Sequence, residues 1–270
     1  MFFLALPWIL LLLIALTVVL FICKKWVWGV GLLIFAIVLN AWIECIPLRL
    51  WSVDGTCTGR CLRVMSFNIQ GTGKEFDEKK ASEIVDLIKR YRPDVLFVSE
   101  LNDRNRIVIG SLVSTSLPYS VFTKGHAHCF YSKYKLEGWE KLEREDMEHL
   151  GVYTCNLSLG GDNIRLYGCH FASNNYTSKK QYVTPDSIKN RKQLKTYLSD
   201  IKRAYLFRTK EAVVLKSELE KAEIPVILMG DLNDVGGSAT VRILGDAGLS
   251  DAWWTGGFGY GATIHSPLPY

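Results

Sequence analysis

A chain of 270 residues with a formal net charge of +5 and a sequence pI of about 8.7 has room for one substantial domain or two modest ones. The positive balance is too slight to identify a nucleic-acid or membrane partner unaided. Its 7 cysteines, spread over this length, do not make the disulfide-stapled framework of a small secreted protein.

The apolar fraction of 49% is inflated by the N-terminus, where two long apolar runs stand back to back. Phe2 to Cys23 carries no charge, and Trp26 to Ile43 runs up to Glu44. Each is long enough to cross a hydrocarbon core as a helix. Only Lys24 and Lys25 separate them, so residues 1–48 are predicted to form a transmembrane hairpin, with the bilayer contacting residues 2–46. The first run lacks the basic n-region and small-residue cleavage site of a signal peptide. Trp26, Trp28, Trp42 and Trp51 fall near the expected interfaces, as an aromatic belt would. Lys24 and Lys25 favour a cytoplasmic connector, which predicts a multi-pass membrane protein with its remaining domain outside the cytoplasm. Arg49, Arg60 and Arg63 pull the other way, but Arg63 already belongs to a strand-like run and Arg60 lies well past the helix.

Residues 49–61 read as a linker, since Ser52 to Gly59 is rich in Ser, Gly, Thr and Asp. Cys57 and Cys61 flank Thr-Gly-Arg there and could pair in an oxidising compartment. A metal pair lacks a second Cys/His pair at zinc-site spacing. Leu62 to Ile69 is a predicted strand, and Ala81, Ile84, Val85, Ile88 and Tyr91 mark one apolar face of a helix. Val95 to Val98 is a second buried strand. Tyr119 to Thr123 and Cys129 to Ser132 follow, then Val152 to Leu159 and Ile164 to His170 joined by Gly160-Gly161-Asp162-Asn163, a hairpin signal. Ala172 to Lys210 is strongly basic, with helical periodicity through Leu194, Tyr197, Leu198, Ile201 and Tyr205. It reads either as the solvated face of a long helix or as a rim that attracts phosphate or anionic lipid head groups. Val226 to Met229 is a further buried strand, stopping at Gly230.

Several strands end in the same manner. Asn68 follows Val64-Met65-Ser66-Phe67, Glu100 follows Val95 to Ser99, His170 closes Leu166-Tyr167-Gly168-Cys169, and Asp231 and Asn233 follow Gly230. Each strand end alone is compatible with turn chemistry or a cap. Together they point to one site that handles a metal or a phosphate. Cys129, Cys155 and Cys169 sit in strand-like runs as small buried apolar residues. His126-Ala127-His128-Cys129 invites a zinc reading, but Cys129 to Lys133 looks like a structural strand, and His265 has no defensible role.

The motifs Met65-Ser66-Phe67-Asn68-Ile69, Asp94 to Glu100, Cys169-His170-Phe171-Ala172-Ser173 and Gly230-Asp231-Leu232-Asn233-Asp234 resemble the endonuclease/exonuclease/phosphatase superfamily with the DNase-I-like fold. Leu249 to Trp253 resembles a late element of it, and the nearest match in general appearance is the membrane-anchored bacterial type. The resemblance implies an α+β class: a DNase-I-like four-layer α/β sandwich, two packed sheets flanked by helices, over residues 62–270. It implies a hydrolase of phosphodiester or phosphomonoester bonds in nucleic acids, phospholipid head groups or inositol phosphates, using Mg²⁺ (or Mn²⁺). Glu100 and Asn68 are similar to the metal-binding residues. Asp231 is similar to the residue that orients the attacking water, Asn233 to a phosphate contact, and His170 to the histidine that assists the leaving group. Asn174 and Arg208 are expected to bind substrate. The family pattern continues with a further strand and a Ser-Asp-His motif, so the chain as written is expected to lack the last strands and to be incomplete as an enzyme. A non-catalytic scaffold with an anion-binding cleft is the alternative, and no stable protein partner is inferred.

Overall fold

The computed structural model describes residues 2–44, 46–47, 59–69, 78–122, 127–145, 147, 150–174, 188–259 and 261. Two compact units emerge: Thr56–Ala172 with Glu218–Asn233, and Met1–Gly55 with Ser173–Ser217 and Asp234–Tyr270.

The first unit is the sandwich. One sheet has the order β1 (Val64–Asn68), β2 (Val95–Ser99), β4 (His128–Ser132), β3 (Tyr119–Val121). The other has the order β5 (Leu136–Lys141), β6 (Val152–Leu159), β7 (Asp162–His170), β8 (Val226–Asp231). Each sheet mixes antiparallel pairs with one parallel pair, β1 with β2 and β7 with β8. Their inner faces meet in a core of Val95, Phe97 and Phe130 from one sheet and Cys155, Leu157, Leu166 and Met229 from the other. Gly168 permits the close approach, because a Cβ there would stand 2.2 Å from the Phe97 ring. The outer face of the first sheet is covered by α3 (Glu78–Tyr91) and α4 (Asp103–Val113), whose Ile84, Ile88, Ile109 and Val113 pack against Leu96 and Val98. The expected α+β sandwich is therefore the observed one.

Element bounds move by a residue or two from the expected ones, and the hairpin tightens. Gly160 and Gly161 alone form the turn between β6 and β7, both at positive φ (59° and 100°), so Asp162 and Asn163 belong to the strand. Glycine tolerates such φ without steric cost. The expectation missed β5, whose Leu-Glu-Gly-Trp-Glu-Lys sequence is an edge strand with charged outward residues and a register shift between Glu137 and Glu140. Charge and irregularity of this kind protect an edge from further pairing but erase the apolar alternation that marks a strand.

The second unit contains α1 (Phe2–Ile22), α2 (Trp26–Ile43), most of α5 (Arg191–Leu219), α6 (Ala239–Gly245) and α7 (Ala252–Gly256). Among the described residues one helix, Trp26–Ile43, is long and apolar enough to span a membrane. Trp8–Ile22 is a shorter apolar helix by the same measure. The two pack as a hairpin through Phe21 and Trp26, with ring centroids 5.5 Å apart, and Gly29 gives room for the Phe21 ring. Asn40, buried in α2, donates Nδ2 to the Ile46 carbonyl and accepts from the Ile46 N–H, so its polar groups are satisfied by the chain just beyond the helix. Asp251 caps α7 by accepting from the N–H groups of Trp253 and Trp254. Cys61 is disulfide-bonded, and Cys57 and Trp51 lie outside the described residues.

Candidate active site

Parallel pairing is what gathers the polar strand ends. Two parallel strands point their carboxyl ends to the same edge of a sheet. Asn68 lies in register with Ser99, so the end of β1 is level with Glu100 just past β2. His170 lies in register with Asp231 at the ends of β7 and β8. Because the two sheets pack face to face, both edges serve one cluster.

Its geometry is specific. The Asn68 amide donates Nδ2–H to Glu100 Oε1 at 2.9 Å and to Asp231 Oδ2 at 3.0 Å. His170 Nε2 is 3.5 Å from the same Glu100 oxygen, and the two side chains are 22% and 26% exposed. Asp231 Oδ1 accepts the backbone N–H of Asn233 at 2.8 Å, and Asn233 Nδ2 donates to the Phe171 carbonyl at 2.8 Å. These half-buried polar groups therefore have their rotamers fixed by one another.

The backbone is strained at the same cluster. Glu100 (φ 59°) and Asn233 (φ 50°) are both left-handed. Asn tolerates this region, whereas for Glu it is costly and is sustained only by surrounding structure. Gly230 has φ 145°, and a Cβ there would meet the Cys169 carbonyl oxygen at 2.0 Å, so only glycine can lead the chain into Asp231.

Asn68, Glu100, His170, Asp231 and Asn233 thus come together. Asn174 and Arg208 meet each other in the other unit: Arg208 Nη1 donates to Asn174 Oδ1 at 2.9 Å. Arg208 is fully buried, its Nε 3.5 Å from Asp234 Oδ2, and Asp234 also accepts from the Thr240 hydroxyl at 2.7 Å. The sequence reading did not foresee the part played by His128. Its buried ring stacks on Phe97 and packs against Tyr153, and its centroid lies 5.6 Å from that of His170. The His-Ala-His spacing drew attention to it only as a metal ligand. Its partner in that pattern, His126, and also His265 lie outside the described residues.

The donor set suits a hard divalent cation. Two carboxylates converge on one neutral amide, leaving negative charge that the amide does not balance. Among the described residues no group of three or more His, Cys, Asp or Glu side chains is poised to hold a metal ion. A cation such as Mg²⁺ needs only one or two protein carboxylates, because it keeps several of its waters. The residues present therefore fit it.

A family model described as the Endonuclease/Exonuclease/phosphatase family matches residues 65–269. Among solved structures, sphingomyelinase C from Streptomyces griseocarneus is similar, with 17% identity and a TM-score of 0.53 over 72% of this chain and 72% of that one. A β-hairpin deletion mutant of beta toxin from Staphylococcus aureus is similar too, with 15% identity and a TM-score of 0.50 over 72% and 75%. Identities this low express a shared fold. No curated protein matches the chain at a comparable level. With the family's motifs spread along most of its length and their polar residues drawn to one end of the sandwich, the chain belongs to the Endonuclease/Exonuclease/phosphatase family, whose members are hydrolases of phosphoric ester bonds.

Proposed function

We propose that this chain is a membrane-anchored, metal-dependent phosphoesterase acting on a phosphodiester or phosphomonoester of a nucleic acid, a phospholipid head group or an inositol phosphate. One observation carries the reading: a single amide, Asn68, joins the carboxylates of Glu100 and Asp231, with His170 beside Glu100. Glu100 and Asn68 would hold Mg²⁺ (or Mn²⁺). When bound, the ion neutralises the charge that develops on the phosphoryl oxygens.

The remaining work falls to the chain's own side chains. Asp231 is pinned at Oδ1 by the Asn233 N–H, so its carboxylate is fixed to orient a water and take its proton. Asn233 spends one amide hydrogen on Phe171 and has a second for a phosphoryl oxygen. His170, whose Nε2 stands 3.5 Å from Glu100 Oε1, is the side chain placed to assist the leaving oxygen. Asn174, whose Oδ1 accepts from Arg208, is the further residue we assign to binding an anionic substrate.

Membrane anchoring is supported by the apolar α1 and α2, whose Leu11, Val19, Val27, Phe35 and Val38 stand exposed. In this reading residues 1–48 form two spans, 49–61 a linker and 62–270 the catalytic region. The Lys24-Lys25 connector faces the cytoplasm, and the disulfide at Cys61 suits an oxidising compartment outside it.

The test is hydrolysis by the full chain, reconstituted in lipid, of aryl phosphodiesters and phosphomonoesters, then of nucleic acid, phospholipid and inositol phosphate. Any turnover is expected to depend on Mg²⁺ and to vanish with chelator. Glu100→Ala is expected to abolish it while the melting temperature holds. Full turnover in Glu100→Ala or in chelator would sink the site assignment.

A further inference from the structure

Helices α2, α5 and α6 belong to one unit, and their side chains are joined. Arg242 of α6 lies over the Trp42 ring at 5.2 Å and donates Nη2 to the Trp42 carbonyl at 3.3 Å. Gly237 fits so closely against the end of α2 that a Cβ would stand 2.2 Å from the Ile43 carbonyl oxygen. The Tyr205 phenol of α5 stands beside the backbone of Ala239, near enough to the Arg242 guanidinium to feel its charge. Position 205 of α5 is thus tied through α6 to Trp42, the residue that marks the bilayer interface if α2 spans the membrane.

The outward face of α5 is unusual for a solvated helix. Lys195, Leu198, Lys202, Leu206, Lys210 and Val213 follow at steps of three or four residues, which aligns them in one stripe. Leu198, Leu206 and Val213 are 41%, 50% and 53% exposed. Among the described residues Lys195, Lys202 and Lys210 make no ion pair. Ile201, Ala204, Arg208, Ala212 and Leu215 occupy the buried side, so the helix is already anchored by its other face.

We propose that this stripe lies on the anionic surface of the bilayer that holds α2. Its aliphatic side chains would enter the head-group boundary and its lysines would pair with lipid phosphates. A purely phosphate-bearing ligand would leave the leucines and valine exposed, whereas an anionic lipid surface offers partners to both kinds of side chain. The inference rests on the membrane reading given above.

The test uses the full chain in lipid nanodiscs with the photoreactive residue p-benzoylphenylalanine at Leu206 or, in a second variant, at Ile34, which is 56% exposed on α2. Lipid adducts are read by mass spectrometry in phosphatidylcholine alone and with phosphatidylglycerol added. Lipid adducts at position 34 are expected in both compositions, and at position 206 mainly with phosphatidylglycerol. Adducts at 206 are expected to fall about fivefold for each of Lys195→Gln, Lys202→Gln and Lys210→Gln. Lipid adducts at 34 but none at 206, or protein adducts at 206, would overturn the proposal and leave the membrane reading intact. Absence of lipid adducts at both positions would overturn both.

Discussion

Asp231 and Asp234 come from the same short stretch of chain yet are treated in opposite ways. Asp231, at the end of a sandwich strand, is partly exposed and bonded to neutral groups, the Asn68 amide and the Asn233 N–H. Asp234, in the helical unit, has a side chain 1% exposed, beside an equally buried Arg208 and the Thr240 hydroxyl. A carboxylate held by neutral donors keeps a negative charge for a cation or a water proton. One matched to a buried guanidinium is electrically spent and serves to hold structure. The sandwich has left its charge available, and the helical unit has cancelled it.

Replacing each aspartate by asparagine breaks the comparison most directly. Asp231→Asn keeps the shape but removes the charge and proton acceptor, so turnover should fall by about 10²–10⁴-fold with little change in denaturation midpoint. Asp234→Asn strands a buried guanidinium and should cost roughly 3–5 kcal/mol of stability by chemical denaturation. The fraction that stays folded is expected to keep its turnover number. A large stability loss from Asp231→Asn would show that the two positions do the same job. Arg208→Lys is expected to rescue Asp234 poorly, because an ammonium lacks the fork that reaches Asp234 and Asn174 together.

The same contrast explains how far the sequence could be read. Asn68, Glu100, His170 and Asp231 were legible because each terminates a short apolar run, and the pattern of buried strand then polar tip survives in one dimension. What joins them was not legible. The parallel register that levels Asn68 with Ser99 and His170 with Asp231 is a long-range property, as is the single amide shared by two carboxylates. His128 escaped functional notice because its packing on Phe97, Tyr153 and His170 draws on three other strands. In the basic segment the periodicity showed a helix but gave the wrong inner face in part. Leu194 and Leu198 are exposed, while Arg208 and Glu211 are buried. Apolar periodicity fails there because a buried Arg is paid for by an acidic partner from outside the helix.

A smaller effect sharpens the account of the sandwich. Burial pushes the thiols of Cys129 and Cys155 from 9.0 up to about 12, and the Tyr153 phenol from 10.0 up to about 12. These groups stay neutral in the folded chain and ionise more readily once unfolded. Their contribution is therefore complete below about pH 9 and is lost as pH rises toward 12. Denaturation midpoints should fall over that window, and less so in Cys129→Ala and Cys155→Ala after allowance for their lower starting stability. Thiol reagents should reach both cysteines only after unfolding, since the neutral thiol is a poor nucleophile. Midpoints flat to pH 11 would mean that the sheets admit water.

The smallest expected effect isolates what separates the regions. Each unit has a helix with a side-chain N-cap: Asn102 accepts the Asn105 N–H at the start of α4, and Ser238 accepts the Val241 N–H at the start of α6. Asn102 is exposed and Ser238 is fully buried. Removing either cap leaves one N–H of the first turn without its acceptor, so Asn102→Ala and Ser238→Ala should each cost about 1 kcal/mol. Water can take the place of the exposed Asn102 oxygen but reaches the buried site less easily, which places Ser238→Ala at the upper end. Near-equal losses, set beside the unequal effects of the two aspartate changes, would locate the difference between the units in the handling of charge and not in local helix stability. A Ser238→Ala cost rivalling that of Asp234→Asn would instead show that the neutral polar contacts of the helical unit matter as much as its buried ion pair.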